Sequence, residues 1–393
     1  GVDMSMIPYD YSFYDYLLEL VREGEVPVAR IDEAVRRILT VKVKLGLFEN
    51  LYYPASDYPD FASEKHRLAS LEAARECVTL LKNTDNVLPL PKNARVLVTG
   101  FAANTMACLN GGWSHTWQGD QADLYASDKL TILEAIQAAI GENNVLWAEG
   151  ARFDALSDIE KALQLARSAD YIILCLGEMA YCEQPGTVGD ISLPAAQAEL
   201  ALRVAATGKP VILVLTEGRP RLISAFADQM KAILTGYLPG NEGGTAIAEV
   251  LFGDVNPSGK LPYTYPRSPN ALITYDHKYT ELVPEVITVP QFEFGHGLSY
   301  TTFGYDNLAV SAGEISQNES LKISIDVTNT GTRQGKEVVQ LYISDLYASI
   351  TPPVRRLRGF EKVSLAPGQT ATVSFTILPG DLAFVNADSK WVT

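Results

Sequence analysis

The chain has 393 residues, 47% of them hydrophobic, enough for two or three domains with sizeable cores. A formal net charge of −15 argues against nucleic acid and against an anionic membrane surface, since both are met by basic patches. No apolar run reaches the roughly 18 residues of a membrane span, so no membrane partner is expected.

The four cysteines (Cys77, Cys108, Cys175, Cys182) lack CxxC spacing, and the four histidines (His66, His115, His277, His296) lack HExxH spacing. Buried free thiols and no metal site are expected.

The chain opens on Gly1-Val-Asp-Met4, which reads as the middle of a domain, with no signal peptide. Two helical patterns occupy the first 49 residues. The second follows Pro27 with Ile31, Ala34, Val35, Ile38 and Leu39 on one stripe and stops at Gly46. This segment has no core of its own and should pack on something else. A further helix is expected from Ser63 to about Lys82, with Leu68, Leu71, Ala74 and Cys77 on one face.

From Ala94 short apolar runs alternate with helical patterns. Strands are expected at Arg95–Thr99, Val145–Trp147, Tyr171–Leu176, Val211–Thr216 and Ala232–Thr235. Helices are expected at Leu130–Ile140, Asp158–Ser168, Ala195–Ala206 and Gly244–Leu251. Strands and helices at this spacing make parallel βαβ units with helices on both faces, an α/β sandwich. Gly100-Phe-Ala-Ala-Asn104 does not supply GxGxxG, so no dinucleotide or other cofactor is expected.

Pro257 to Tyr300, rich in Pro, Tyr, Thr and Gly, reads as a linker wrapping the domain surface. Beyond it Leu321–Thr328, Glu337–Ile343 and Thr372–Ile377 alternate at period two around Asn329-Thr-Gly331 and Ala366-Pro-Gly368, the pattern of an immunoglobulin-like or fibronectin type III-like β-sandwich. Lys390–Thr393 stops in a strand pattern, as if that domain were cut.

The run Leu176 to Asp190 has the most chemistry. A buried-strand pattern gives way to Glu178, Tyr181, Glu183 and Asp190 among glycines and a proline, where ligands bind in open α/β sheets. These carboxylates are candidates for a general acid; the alternative is a solvated acidic loop.

Several motifs then carry a resemblance to the glycoside hydrolase family 3 β-glucosidases. They are Gly1-Val-Asp-Met-Ser-Met6, Arg30–Ile38 with Lys44–Phe48, Glu72-Ala-Ala-Arg75, Leu80-Leu-Lys-Asn83 with Leu88-Pro-Leu-Pro91, and Gly111-Gly-Trp-Ser-His-Thr-Trp-Gln-Gly119. Leu238-Pro-Gly-Asn-Glu-Gly-Gly244, Phe252-Gly-Asp254 with Gly259-Lys-Leu-Pro262, Phe294-Gly-His-Gly-Leu-Ser-Tyr300 and Arg358-Gly-Phe-Glu-Lys-Val363 continue the order. The resemblance implies the end of a (β/α)8-type barrel at 1–52, an α/β sandwich carrying the acid/base at 53–270, a linker at 271–303, and a fibronectin type III-like β-sandwich at 304–393.

It also implies a retaining exo-acting β-glucosidase acting on cello-oligosaccharides and other β-glucosides, with β-xylosidase, or a carbohydrate-binding remnant without a barrel, as the alternatives. In a pattern like GExxYxExxGD, Gly177-Glu178, Tyr181 and Glu183 match, placing Glu183 on the acid/base position, although three extra residues precede Gly189-Asp190. Glu178 is the competing assignment and is expected to be structural.

Trp117 matches a tryptophan walling the aglycone subsite, Trp113 is expected in the core, and Tyr181, His115 and Met4 are candidate substrate contacts, with Met6 beside the last. The nucleophile, an Asp in a motif resembling SDW, and most of the glucose pocket lie ahead of Gly1 in this pattern, so an N-terminal barrel is an expected partner. Phe294–Tyr300 is expected to have no catalytic role. Thr351-Pro-Pro-Val-Arg-Arg-Leu-Arg358 is a solvated basic loop, or one that reaches the active site or a second subunit of a homodimer. The family's setting is secreted or periplasmic.

Overall fold

A computed structural model describes residues 2–7, 9–269, 274–278, 289–316 and 318–392. The chain forms two compact units, Gly1–His66 and Arg67–Thr393.

In the first unit, helices α1 (Ser12–Arg22) and α2 (Val28–Lys44) bury none of their residues. Pro27 caps α2 and Gly46, at φ +66°, follows its end, as the stop and start residues imply. Asp3 ties the leading segment to α2 through Arg30 at 2.6 Å and Arg37 at 2.9 Å. Arg37 and then Arg30 hold its carboxyl below the usual range.

The second unit begins within helix α3 (Glu64–Cys77). The long helix expected to reach Lys82 ends at Cys77, and Thr79–Asn83 is instead strand β1. β1 pairs antiparallel with a strand from the far end of the domain, a partner no local pattern reveals. The other strands are β2 (Val96–Thr99), β3 (Val145–Ala148), β4 (Tyr171–Gly177), β5 (Val211–Thr216) and β6 (Ala232–Thr235). β2 to β6 lie parallel to one another, and with the antiparallel β1 the sheet order is β1-β6-β5-β4-β2-β3.

Alternation at period two divides the apolar strand residues between two cores. Val96, Val98, Ile173, Cys175, Ile212 and Val214 face helices α4 (Ile132–Ile140) and α7 (Gly243–Leu251). Leu97, Ile172, Leu174, Leu213 and Leu215 face α5 (Ile159–Ala166) and α6 (Ala195–Ala205). The order has a functional consequence. After β2 the chain leaves toward β3, and after β4 it leaves in the opposite direction toward β5. The carboxyl ends of β2 and β4 therefore diverge, which makes them the topological switch point where α/β sheets bind ligands.

The expected linker partly belongs to the core. Leu261 and Tyr265 are buried, Leu261 N–H donates to the His296 carbonyl, and Leu298 N–H donates to the Leu80 carbonyl. Residues 270–273 and 279–288 of that expectation lie outside the described residues. The C-terminal strands are β7 (Phe303–Val310), β8 (Leu321–Asn329), β9 (Gly335–Ile343), β10 (Arg356–Leu365) and β11 (Thr370–Ile377). They form sheets β11-β8-β7 and β10-β9 around Val327, Val339, Leu365 and Val373. Glu76 of α3 joins this sandwich to the α/β layer through Lys336 and Lys362. The basic loop 351–358 is used locally. Val354 N–H donates to the His277 carbonyl, Arg355 lies 3.7 Å from Glu293, and Arg356 donates to the Ala383 carbonyl.

The turn leaving β2 is a tight backbone passage. Gly100 has φ +108°, and a Cβ there would lie 2.2 Å from the Cys175 carbonyl oxygen. Gly100→Ala is expected to cost about 3 kcal/mol or more in stability, read as a lowered urea midpoint with an unchanged m-value.

Candidate active site

Loops leaving the carboxyl ends of β2, β4, β5 and β6 meet on one edge of the sheet. The end of β4 is pinned first. Gln197, buried on α6, accepts from Gly177 N–H at 3.1 Å and donates back to the Gly177 carbonyl at 3.2 Å. Glu178 follows, 2% exposed, and its own N–H donates to the Thr216 carbonyl at the end of β5.

The Glu178 carboxylate is held by the turn after β5. Oε1 gathers Nε and Nη2 of both Arg219 and Arg221 at 2.6–3.0 Å, and Oε2 accepts from Arg219 backbone N–H at 3.0 Å. The arginines then reach along the loop. Arg219 donates to the Gly186 carbonyl, and Arg221 donates to those of Asp190 and Ser192 at 3.0 and 3.2 Å. Loop 178–192 is thereby tied at its start, middle and end. The Arg219 guanidinium carbon also lies over the Tyr181 ring, 3.7 Å from its centroid, holding that aromatic face. Glu178 is thus buried and held by two guanidinium groups.

Glu183 is the opposite case. It is exposed, at φ +52°, a conformation that strains a residue other than glycine, and Cys182 Sγ lies 3.9 Å from its Oε1. The loop after β2 is joined to it. Gln118 accepts from Cys182 N–H at 3.0 Å and donates to the Cys182 carbonyl at 3.2 Å, so the neighbours of this double link are Trp117 and Glu183. Close packing explains Gly112, where a Cβ would lie 2.4 Å from Cys182 Cβ.

Trp117 is 41% exposed, leaving much of its ring uncovered. Trp113, expected in the core, is 70% exposed. Its φ of +64° and its N–H bond to the Trp117 carbonyl place it on a turn at the loop tip rather than under the sheet. His115, also at positive φ, packs edge-on against Tyr125 at 4.7 Å. Met4, 63% exposed, and Met6 lie in the first unit. A cavity of about 370 Å³ beneath the loop is lined by Gln118, Phe153, Glu178, Tyr181 and Arg219, among others.

Sequence reasoning did not single out Arg219, Arg221 or Glu217. A signal for them existed in Thr216-Glu-Gly-Arg-Pro-Arg221, a charged run directly after a fully buried strand.

Residues 78–300 match the family profile described as the glycosyl hydrolase family 3 C-terminal domain, and 337–393 match a fibronectin type III-like domain. The chain belongs to glycoside hydrolase family 3. Among its relatives, a lysosomal beta glucosidase of Dictyostelium discoideum is 41% identical over 99% of this chain and 50% of its own length. A periplasmic beta-glucosidase of Salmonella typhimurium is 37% identical over 100% of this chain and 56% of its own length. The crystal structure of a beta-glucosidase from Listeria innocua in complex with glucose superposes with a TM-score of 0.82 at 30% identity, covering 96% of this chain and 53% of that one. The chain thus spans about half the length of the curated relatives it matches. Both the α/β domain and the fibronectin-like sandwich agree with the architecture that the family 3 motifs implied.

The two glutamates should separate in stability measurements. Glu178→Ala leaves two guanidinium groups without their carboxylate and is expected to cost about 3 kcal/mol. Glu183→Ala, at an exposed position, is expected to change stability by less than about 0.5 kcal/mol. Urea unfolding of the two variants side by side checks this.

Proposed function

We propose that this chain supplies the acid/base part of the active site of a retaining β-glucosidase, with Glu183 as the general acid/base and Trp117 and Tyr181 as aromatic walls for the sugar. The observation that supports it most is the Gln118–Cys182 link, which sets an exposed carboxylate and a half-open tryptophan face on adjoining loops at the switch point of the sheet. Sugar rings present apolar C–H faces that pack on aromatic rings, and the glycosidic oxygen leaves only as it is protonated.

In this mechanism Glu183 protonates the departing oxygen in the first step and, as carboxylate, activates water in the second. Glu178, Arg219 and Arg221 keep the loop in place and take no part in proton transfer. In this reading the nucleophilic carboxylate and the pocket for the non-reducing glucose come from an N-terminal barrel, and this chain spans about half the length of the curated relatives it matches. The α1–α2 segment is the end of that barrel, and Met4 borders its pocket. His115 holds the Trp117 loop through Tyr125 rather than touching sugar. A secreted or periplasmic setting is part of this reading; one of the relatives named above is periplasmic and the other lysosomal.

The test uses the complete enzyme, barrel included. Glu183→Ala is expected to lower kcat/KM by about 10²–10⁴-fold for β-glucosides with poor leaving groups, and far less for activated aryl glucosides. Added azide should restore part of the turnover by replacing the activated water. The reading fails if Glu178→Ala gives this pattern and Glu183→Ala does not. Parallel assays on aryl β-xylosides decide between glucosidase and xylosidase activity. Binding without turnover of either substrate would favour the carbohydrate-binding alternative.

A further inference from the structure

We propose that Glu217 is a neutral carboxylic acid in the folded protein, and that its proton is a structural part of the scaffold positioning the Glu183 loop. The inference starts from counting protons. Tyr265 Oη lies 2.7 Å from Glu217 Oε1 and 2.7 Å from the Arg221 carbonyl oxygen. A phenol has one proton to donate, and a backbone carbonyl can only accept. If Glu217 were ionised, one of these two contacts would set an acceptor against an acceptor at hydrogen-bond distance.

A proton on Glu217 Oε1 removes the conflict. Glu217 then donates to Tyr265 Oη, and Tyr265 donates to the Arg221 carbonyl. The other carboxyl oxygen, Oε2, remains the acceptor for Arg221 backbone N–H at 3.3 Å. Every group in the chain is satisfied in one direction.

The surroundings agree. Glu217 and Tyr265 are fully buried, and burial pushes the Glu217 carboxyl from its ordinary value of 4.5 up to about 8. The ionisable groups facing it come from each neighbouring element. They are Glu178 from the end of β4, Arg221 from its own turn, Tyr237 after β6, and Tyr263 and Tyr265 from the segment beyond α7. Arg221 is the cation of this group, and its guanidinium is committed to Glu178 and to the carbonyls of Asp190 and Ser192.

Glu217 is therefore a positioning residue acting through Arg221. Its acid form grips the Arg221 backbone at N–H directly and at the carbonyl through Tyr265, and the Arg221 side chain grips Glu178 and the far end of the loop. An ionised Glu217 would compete with Glu178 for that guanidinium. The stabilisation is fully present below the ordinary glutamate value and is lost as pH rises through about 8. The consequence for turnover rests on the Glu183 reading above; the state of Glu217 does not.

Two measurements on the whole chain test the proposal without using activity. At pH 7 the infrared spectrum should contain the carbonyl stretch of a neutral carboxyl that Glu217→Gln removes. In amide hydrogen exchange, opening that hydrates Glu217 releases its proton. Protection of the 178–192 amides, corrected for intrinsic rate, should then fall by up to about tenfold per pH unit between pH 5.5 and 7.5. In Glu217→Gln, whose amide can donate to Tyr265 and accept from Arg221, that slope should vanish. An infrared spectrum with no band lost, or the same slope in both proteins, overturns the proposal. Should the variant not fold, infrared titration of the parent chain decides. A neutral-carboxyl band that bleaches with a midpoint near 8 supports it, and no such band overturns it.

Discussion

The carboxylate of Glu178, buried at the end of β4 and shared by Arg219 and Arg221, is the contact on which the candidate site depends. Burying one carboxylate with two guanidinium groups is costly, and the cost is offset only when geometry and additional hydrogen bonds are complete. Here they are complete in a particular way. The donors left over after Glu178 is satisfied go to the carbonyls of Gly186, Asp190 and Ser192. The buried charge cluster thus shapes a loop that would otherwise have few tertiary contacts. Together with the Gln118 bonds to Cys182, the cluster defines where Glu183 sits.

A division of labour between two glutamates five residues apart follows. Glu178 is bonded by both arginines and is buried, so its carboxylate is spent on holding the loop. Glu183 is exposed on strained backbone beside the Gln118 link. Residue type cannot separate these roles, because both are glutamates on the same acidic loop. Their surroundings separate them.

Sheet order supplies the rest of the placement. Had the chain left β2 and β4 in the same direction, their following loops would run along parallel paths. Because they diverge, a crevice opens between them, and Gln118 sets its width by bonding both backbone groups of Cys182. The fibronectin-like sandwich is anchored through Glu76, Lys336 and Lys362, with Lys260 and Glu337 adding a second ion pair at 3.2 Å. Its arginine-rich loop is tied to His277, Glu293 and Ala383, so it serves that anchoring region.

Local pattern was enough for the elements whose cause is local. Period-two and helical spacing placed β2 to β6 and α4 to α7 within a residue or two, because burial on both sheet faces demands continuous apolar runs there. The family resemblance pointed to Glu183 and Trp117 as candidates because each of its motifs is one contiguous loop. Three things depended on residues far apart in the chain. β1 looked like the end of a helix because its partner, β6, lies about 150 residues away. Trp113 looked like core because a large aromatic usually is, whereas a positive-φ turn turns it outward. The arginines that fix Glu178, and the tyrosine that shares a proton with Glu217, are 41 to 48 residues from the groups they bind. Sequence alone determined the layers, the sandwich and the acidic loop, since these follow from periodicity and turn chemistry. Only the tertiary structure decided which glutamate is buried and which is free, because burial and partner geometry arise from pairings that no local window contains.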